Sequence, residues 1–142
     1  MITSIRHTGI VVEDLDMSMH FYCDLLGFKI TRRMEESGRY IDNTLSLKGV
    51  RVATVKMKTP DGQMIELLRF HSHQREQKTR NINDIGIAHI AFEVEDLNAG
   101  YNSLKDEGVL FNSPPQLSPD GCAKVAFCRA PEGTLIELVE VI

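Results

Sequence analysis

The chain has 142 residues, of which 42% are hydrophobic and 25% are charged, and its formal net charge is −4. This composition is typical of one folded domain, and it excludes a disordered chain and, since no apolar run approaches about 20 residues, a membrane-spanning one. A mildly acidic chain without a basic stripe also argues against nucleic acid as the main partner. The three scattered cysteines form no disulfide framework or zinc motif, and together with a start that lacks a signal peptide they predict a cytoplasmic protein.

Two segments of the chain are repeated. Residues 5–15 align with residues 87–97, and six of these eleven positions are identical. Residues 61–68 align with residues 132–139, where Gly, Ile, Glu and Leu coincide. Because both matches occur in the same order, the sequence predicts two copies of one module. The second copy is shorter by 11 residues between its His and its Glu.

The first module begins with a β-rich run over residues 5–12. A helix is expected over residues 15–26, with Asp14 as its N-cap and Gly27 as its end. Apolar runs bounded by turn residues then predict three strands, at residues 40–47, 50–57 and 64–70.

A polar linker over residues 72–85 follows, so that the single domain 1–142 consists of modules 1–71 and 86–142. The second module has a strand over residues 87–94 and a helix over residues 97–107. Further strands are expected at residues 109–112, 122–129 and 134–141. The order βαβββ, found twice, predicts an α+β fold.

Four residues of metal-ligating type occupy repeated positions in otherwise apolar strands: His7, Glu66, His89 and Glu137. Side chains of a strand alternate between faces, so each glutamate shares its face with apolar neighbours. An ionised carboxylate there costs about several kcal/mol unless it is paired or binds a metal. Two histidines and two carboxylates suit a divalent transition metal. The metals that such ligands accept are Ni, Zn, Co, Mn and Fe.

A substrate pocket is expected beside these residues. Its candidate lining residues are Val11, Met64, Leu68, Phe70, Glu93 and Val139. The apolar members predict a partly apolar substrate, although the same positions are equally compatible with core packing. Glu93 follows His89 by four residues, and it either lines the site or reaches solvent.

The sequence around these positions resembles the vicinal oxygen chelate superfamily, also called the glyoxalase/bleomycin resistance/dioxygenase superfamily. The resemblance covers nearly the whole chain and rests on His7 and His89 and on residues 12–15, 21–22, 26–28, 61–67, 94–97 and 131–138. It implies paired βαβββ modules whose sheets curl around a metal, which binds a small-molecule substrate through adjacent oxygens.

Within that superfamily, the order His, Glu, His, Glu resembles glyoxalase I (lactoylglutathione lyase) and methylmalonyl-CoA epimerase. The resemblance implies a lyase or isomerase that moves a proton next to a metal-chelated carbonyl through an enediolate or enolate, with Glu137 as the principal base and Glu66 as its counterpart. Val11 and Phe70 stand where bacterial glyoxalase I usually has an Arg and an Asn that contact glutathione. Ala88 stands where epimerases often have a second His.

Two other functions stay open. An iron(II) extradiol-type dioxygenase needs an open position for oxygen, which a fourth ligand at Glu66 tends to fill. A non-catalytic drug-binding relative usually lacks the ligands that this chain has. The resemblance also implies a homodimer, with a site formed within one chain or shared by two chains.

Overall fold

The two sequence repeats fold as two four-stranded mixed sheets, and this confirms the predicted α+β class. The computed structural model describes all residues from Met1 to Ile142, which divide into two units, Met1–Gln77 and Lys78–Ile142. The boundary falls within the polar segment 72–85. No helix has both the length and the apolar character that crossing a membrane requires.

The first unit contains four strands, two helices and a π-helical segment. In chain order these are β1 (Thr8–Val11), α1 (Leu15–Met19) with its π-helical continuation (His20–Leu25), β2 (Lys29–Ser37), α2 (Arg39–Leu45), β3 (Arg51–Lys58) and β4 (Met64–Phe70). The strand order is β1-β4-β3-β2, with β1 parallel to β4 and the other pairs antiparallel. The expected N-cap is confirmed, because the Asp14 carboxylate accepts a hydrogen bond from the Met17 N–H at 2.9 Å. The helical run ends at Gly27, whose φ of 82° favours glycine.

The two faces of the first sheet have different surroundings. One face packs against the helical segment, where the Cys23 Sγ lies 3.9 Å from the Met57 Sδ. The other face, which we call the open face, carries Glu66, and within this unit α2 packs on one end of it. There Ile41 packs with a set of buried and half-buried residues, namely Leu45, Leu47, Val50, Val52, Leu68 and Phe70.

The predicted strand at residues 40–47 is wrong, because this segment forms α2. Ile41 and Leu45 are four residues apart, which places both on the helix face that packs on the sheet. The strand that precedes it, β2, was not predicted. It is an edge strand exposed on both faces, so charged residues hide its alternation.

The second unit repeats this plan without a counterpart of α2. Its elements are β5 (Ile90–Glu93), α3 (Leu97–Asp106), β6 (Gln116–Leu117), β7 (Ala123–Arg129) and β8 (Leu135–Val141), and the strand order is β5-β8-β7-β6. The Asp96 carboxylate accepts from the Ala99 N–H at 2.9 Å and so caps α3. The predicted strand at residues 109–112 is wrong, since Phe111 makes only an isolated bridge there. Pro114 and Pro115, which lack an N–H, come directly before the short β6.

The Glu140 carboxylate ties the start of α3 to the sheet of the second unit. The Glu140 carboxylate accepts hydrogen bonds from the Lys124 Nζ and from the Leu97 N–H, both at 2.8 Å. The Lys124 bond, followed by the Leu97 bond, lowers the pKa of Glu140 below its ordinary value. The ion pair of Lys124 and Glu140 lies on the sheet face opposite to Glu137, because neighbouring strand residues alternate.

Candidate functional site

The first unit brings two of the four candidate ligands together. The His7 Nε2 lies 3.1 Å from the Glu66 Oε2, and the two side chains are 31% and 13% exposed. Glu66 lies in β4 directly opposite Gly9, and His7 stands just before β1. The parallel pairing of β1 with β4 therefore places the imidazole beside the carboxylate on the open face.

The second unit brings the other two together in the same way. The His89 Nε2 lies 3.0 Å from the Glu137 Oε2, and the side chains are 35% and 21% exposed. Glu137 lies in β8 opposite Ala91, as Glu66 lies opposite Gly9. The repeat thus produces two His–Glu pairs at equivalent positions of two sheets.

Each pair has a donor set and a spacing that fit a divalent metal. An imidazole nitrogen and a carboxylate oxygen each bind such a cation at about 2.0–2.2 Å. Two such donors around one ion are about 3.0 Å apart at a right angle and about 3.4 Å apart at a tetrahedral angle. The paired atoms here are 3.1 and 3.0 Å apart, which is also hydrogen-bonding distance. Within either unit, no group of three or more His, Cys, Asp or Glu side chains is arranged to hold a metal, so each unit brings two candidate ligands together.

The His7 ring carries an orphaned polar atom. Its Nδ1 is buried and has no hydrogen-bond partner. Leaving a buried polar atom unsatisfied costs about 1–3 kcal/mol, and such atoms are rare outside functional sites. This cost is more readily explained for a functional histidine than for one that only packs in the core.

The two pairs differ in their third neighbour. The Lys56 Nζ lies 3.5 Å from the Glu66 Oε1, and Lys56 is directly opposite Glu66 in the sheet. The equivalent position opposite Glu137 holds Phe127, whose ring meets the His89 ring edge-on with centroids 5.2 Å apart. Sequence reasoning missed Lys56. The offset of 71 that aligns the two glutamates also aligns Lys56 with Phe127. The available signal was this difference between the two copies, a cation in one and an aromatic residue in the other.

The candidate lining residues have varied environments. Val11 is exposed, Met64 and Val139 are half-buried, and Leu68 and Phe70 pack in the cluster under α2. The last two thus serve the core of the unit as well as the open face. Glu93 is exposed. Of its two predicted roles, lining the site or reaching solvent, exposure is what the second requires.

Comparison with known proteins identifies relatives over almost the full length. The family model described as the Glyoxalase/Bleomycin resistance protein/Dioxygenase superfamily matches residues 4–138. A protein of Synechocystis named "Probable lactoylglutathione lyase" is 32% identical over 135 residues, which cover 94% of this chain and 92% of that protein.

Solved structures have the same fold. A glyoxalase family protein from Bacillus cereus matches with a TM-score of 0.90 and 26% identity, and the match covers 100% of this chain and 96% of that one. The trypanothione-dependent glyoxalase I of Leishmania major matches with a TM-score of 0.69 and 25% identity, over 98% of this chain and 87% of that one.

Proposed function

This chain belongs to the Glyoxalase/Bleomycin resistance protein/Dioxygenase superfamily, and on that premise we propose that it is a divalent-metal-dependent lyase or isomerase of the glyoxalase I type. Members of this family typically bind a divalent metal. The observation that carries the proposal is the recurrence of one His–Glu pair, with N···O distances of 3.1 and 3.0 Å, at the same register in both sheets. Relatives named lactoylglutathione lyase support the reaction class.

We assign the metal ligands to His7, Glu66, His89 and Glu137. A bound divalent cation supplies positive charge that stabilises negative charge developing on the substrate oxygens. Glu137 accepts a proton from the carbon next to the substrate carbonyl at its Oε1, the oxygen that does not face His89. Glu66 is held at both oxygens, by His7 and by Lys56, and we propose it as the counterpart base that returns the proton.

The second candidate is an epimerase acting on an acyl thioester such as methylmalonyl-CoA. It needs the same proton transfer but no glutathione contacts. The favouring observation is that Val11 and Phe70, at the positions used for glutathione in bacterial glyoxalase I, are apolar, and that Phe70 packs in the cluster under α2. Neither side chain can donate a hydrogen bond to a peptide substrate.

We also propose that the protein is a cytoplasmic homodimer that acts on a small molecule with adjacent oxygens. Its three cysteines are free, which suits a reducing compartment. Both sheets end in edge strands, and a second copy is one way to cover such edges.

Metal analysis followed by a substrate panel tests the proposed function. We expect one divalent ion per chain if the two pairs share it, and two ions per chain would instead assign one to each pair. Turnover of the methylglyoxal–glutathione hemithioacetal indicates a lyase, and epimerisation of methylmalonyl-CoA indicates an epimerase. Oxygen uptake with a catechol by the iron(II) form, or activity that a chelator does not change, would overturn the proposal.

A further inference from the structure

Four cationic residues lie together at one end of the first sheet, away from α2. We call them the basic strip: Lys29 and Arg32 of β2, and Lys56 and Lys58 of β3. In the antiparallel register, Lys29 is directly opposite Lys58 and Arg32 is directly opposite Lys56. A β-bulge between Ile30 and Arg32 lets both pairs form, although Lys29 and Arg32 are three residues apart. Residues directly opposite each other share a face, so Arg32, Lys56 and Lys58 leave the sheet on the open face. Lys29 lies at the edge of the strip, where burial raises the pKa of the Cys23 thiol and the Lys29 charge acts to lower it. The strip does not exist in the linear sequence, because the fold assembles it from two strands.

The basic strip reaches the candidate site. Lys56 is directly opposite Glu66 on the neighbouring strand, with 3.5 Å between the Nζ and the Oε1. A row of side chains therefore crosses the sheet from Arg32 through Lys56 to Glu66. The His7 ring extends this row through its contact with Glu66. Strands are about 4.8 Å apart, so the Arg32 backbone is about 10 Å from that of Glu66. An anion bound at the strip would then lie a few bonds away from atoms held at Glu66.

Sheet stability alone does not explain the strip. Like charges directly opposite each other destabilise a sheet, and two such pairs lie close together here in a chain of net charge −4. Charges on an edge strand discourage aggregation, which explains Lys29 and Arg32. Lys56 lies on an inner strand with its side chain 28% exposed, and its pairing with Glu66 offsets one of the four positive charges. The Glu36 carboxylate on this face accepts a hydrogen bond from the Thr54 hydroxyl instead.

The second unit has no equivalent strip. Phe127 and Arg129 occupy the positions that correspond to Lys56 and Lys58. The Arg129 Nη1 donates to the Gly133 carbonyl oxygen at 3.3 Å, so that cation serves a local turn. A feature confined to one copy of a repeated module is not needed for the fold of the module, and this favours a role in recognition.

We propose that the basic strip binds an anionic oxygen group of the substrate, a carboxylate or a phosphate, while the reacting carbon lies beside Glu66. The proposal rests on the proposed function and names its substrate class. The Arg32 guanidinium offers paired N–H donors to two oxygens of one group, and Lys56 adds a point charge beside them. The apolar side chains of Leu68 and Phe70 lie farther along the same face, toward α2.

Anion binding by the full-length protein tests the proposal without any turnover. Calorimetric titrations at low ionic strength use inorganic phosphate in one arm and malonate in the other, and the arm that binds identifies the anion. We expect Arg32→Gln and Lys56→Met each to weaken this binding at least tenfold, and Lys56→Arg to retain it. If neither anion binds the wild-type protein, or if Arg32→Gln binds as tightly as wild type, the proposal is wrong.

Lys124→Met is the matched control. Lys124 lies on the equivalent strand of the second unit, is 29% exposed, and pairs with a glutamate as Lys56 does, but on the opposite face of its sheet. This variant removes the same charge and one ion pair, so we expect wild-type anion affinity. A loss equal to that of Lys56→Met would mean that net charge alone drives the binding, which contradicts a site at the strip.

Kinetics separate this proposal from the proposed function. With an anionic substrate found in the panel, Arg32→Gln should raise KM at least tenfold, whereas KM for the neutral ester of that substrate should stay within twofold of wild type. Anion binding without turnover of any panel substrate would contradict the proposed function and leave the strip intact. If the protein turns over the anionic substrate and Arg32→Gln leaves its KM unchanged, the proposal for the basic strip is wrong and the proposed function stands.

Discussion

The two candidate glutamates differ in the groups around them, and this predicts that they differ in function. Glu66 has a cation or imidazole beside each oxygen, whereas Glu137 has His89 at one oxygen and Phe127 opposite it in the sheet. A carboxylate held at one oxygen can turn toward the substrate more freely than one held at both. We therefore expect Glu137→Gln to lower kcat by about 10²- to 10⁴-fold, the usual contribution of a general base, and to retain the fold and most of the metal.

Glu140→Gln is the control for this substitution. Glu140 is on the same strand but faces the other way, and a glutamine there still has an oxygen to accept the Leu97 N–H. Steady-state kinetics, metal content and circular dichroism of both variants make the comparison. Wild-type activity in Glu137→Gln would remove Glu137 from the mechanism.

At the scale of elements, the sequence predicted those whose apolar pattern repeats in both modules. The strand over residues 64–70 was predicted at its observed bounds, and the capped helices were found because Asp14 and Asp96 precede matching apolar runs. The apolar content of segment 40–47 predicts a strand, whereas the four-residue spacing of Ile41 and Leu45 is typical of the helix that forms. No repeat could correct that error, since the second unit has no counterpart of α2.

The candidate site was predictable to the same extent. The ligand-type residues coincide in the repeat, so their pairing within each unit follows from the fold. Lys56 and Glu66 are neighbours because of the register of β3 and β4. The turn that connects the two strands sets this register, and in it the Thr59 N–H donates to the Gln63 carbonyl oxygen at 2.9 Å. Residue types alone do not specify such a register.

The connection between α2 and β3 depends on one carboxylate. The Asp42 Oδ2 accepts from the Gly49 N–H and the Oδ1 from the Val50 N–H, each at 2.8 Å, and these bonds lower the pKa of Asp42 below its ordinary value of 3.8. They position Val50 in the cluster with Ile41. We expect Asp42→Ala to lower the free energy of unfolding, measured by urea denaturation at pH 7.

The lowered pKa gives this effect a pH dependence. The stabilisation by Asp42 is fully present above the ordinary pKa of 3.8 and is lost as the pH falls through the lower pKa of the folded protein. The difference in unfolding free energy between wild type and Asp42→Ala should therefore shrink from pH 7 to pH 3. The exposed neighbour Asn43, changed to Ala, should show no such trend. An equal difference at both pH values would contradict the assignment to the ionised carboxylate.

At the scale of the whole chain, the segment between the two units is the expected site of first proteolysis. Arg75, Lys78 and Arg80 are exposed and lie outside helices and strands. Proteases cut such segments first, because a strand must leave its hydrogen-bonded ladder before it can enter the active site of a protease. Limited trypsin digestion should therefore separate the chain near the boundary between Gln77 and Lys78 before it cuts either sheet.

Mass spectrometry of a digestion time course makes this prediction quantitative. Cleavage after Arg6, in the exposed segment before β1, removes only a short peptide and does not separate the units. The informative competing cleavage site is Arg33. It is also exposed, but it lies in β2 and is paired with Val55 of β3. If Arg33 were cut before residues 75–80, the edge strand that carries Arg32 would open more easily than the connecting segment. The basic strip would then lack the rigid support that recognition of an anion requires.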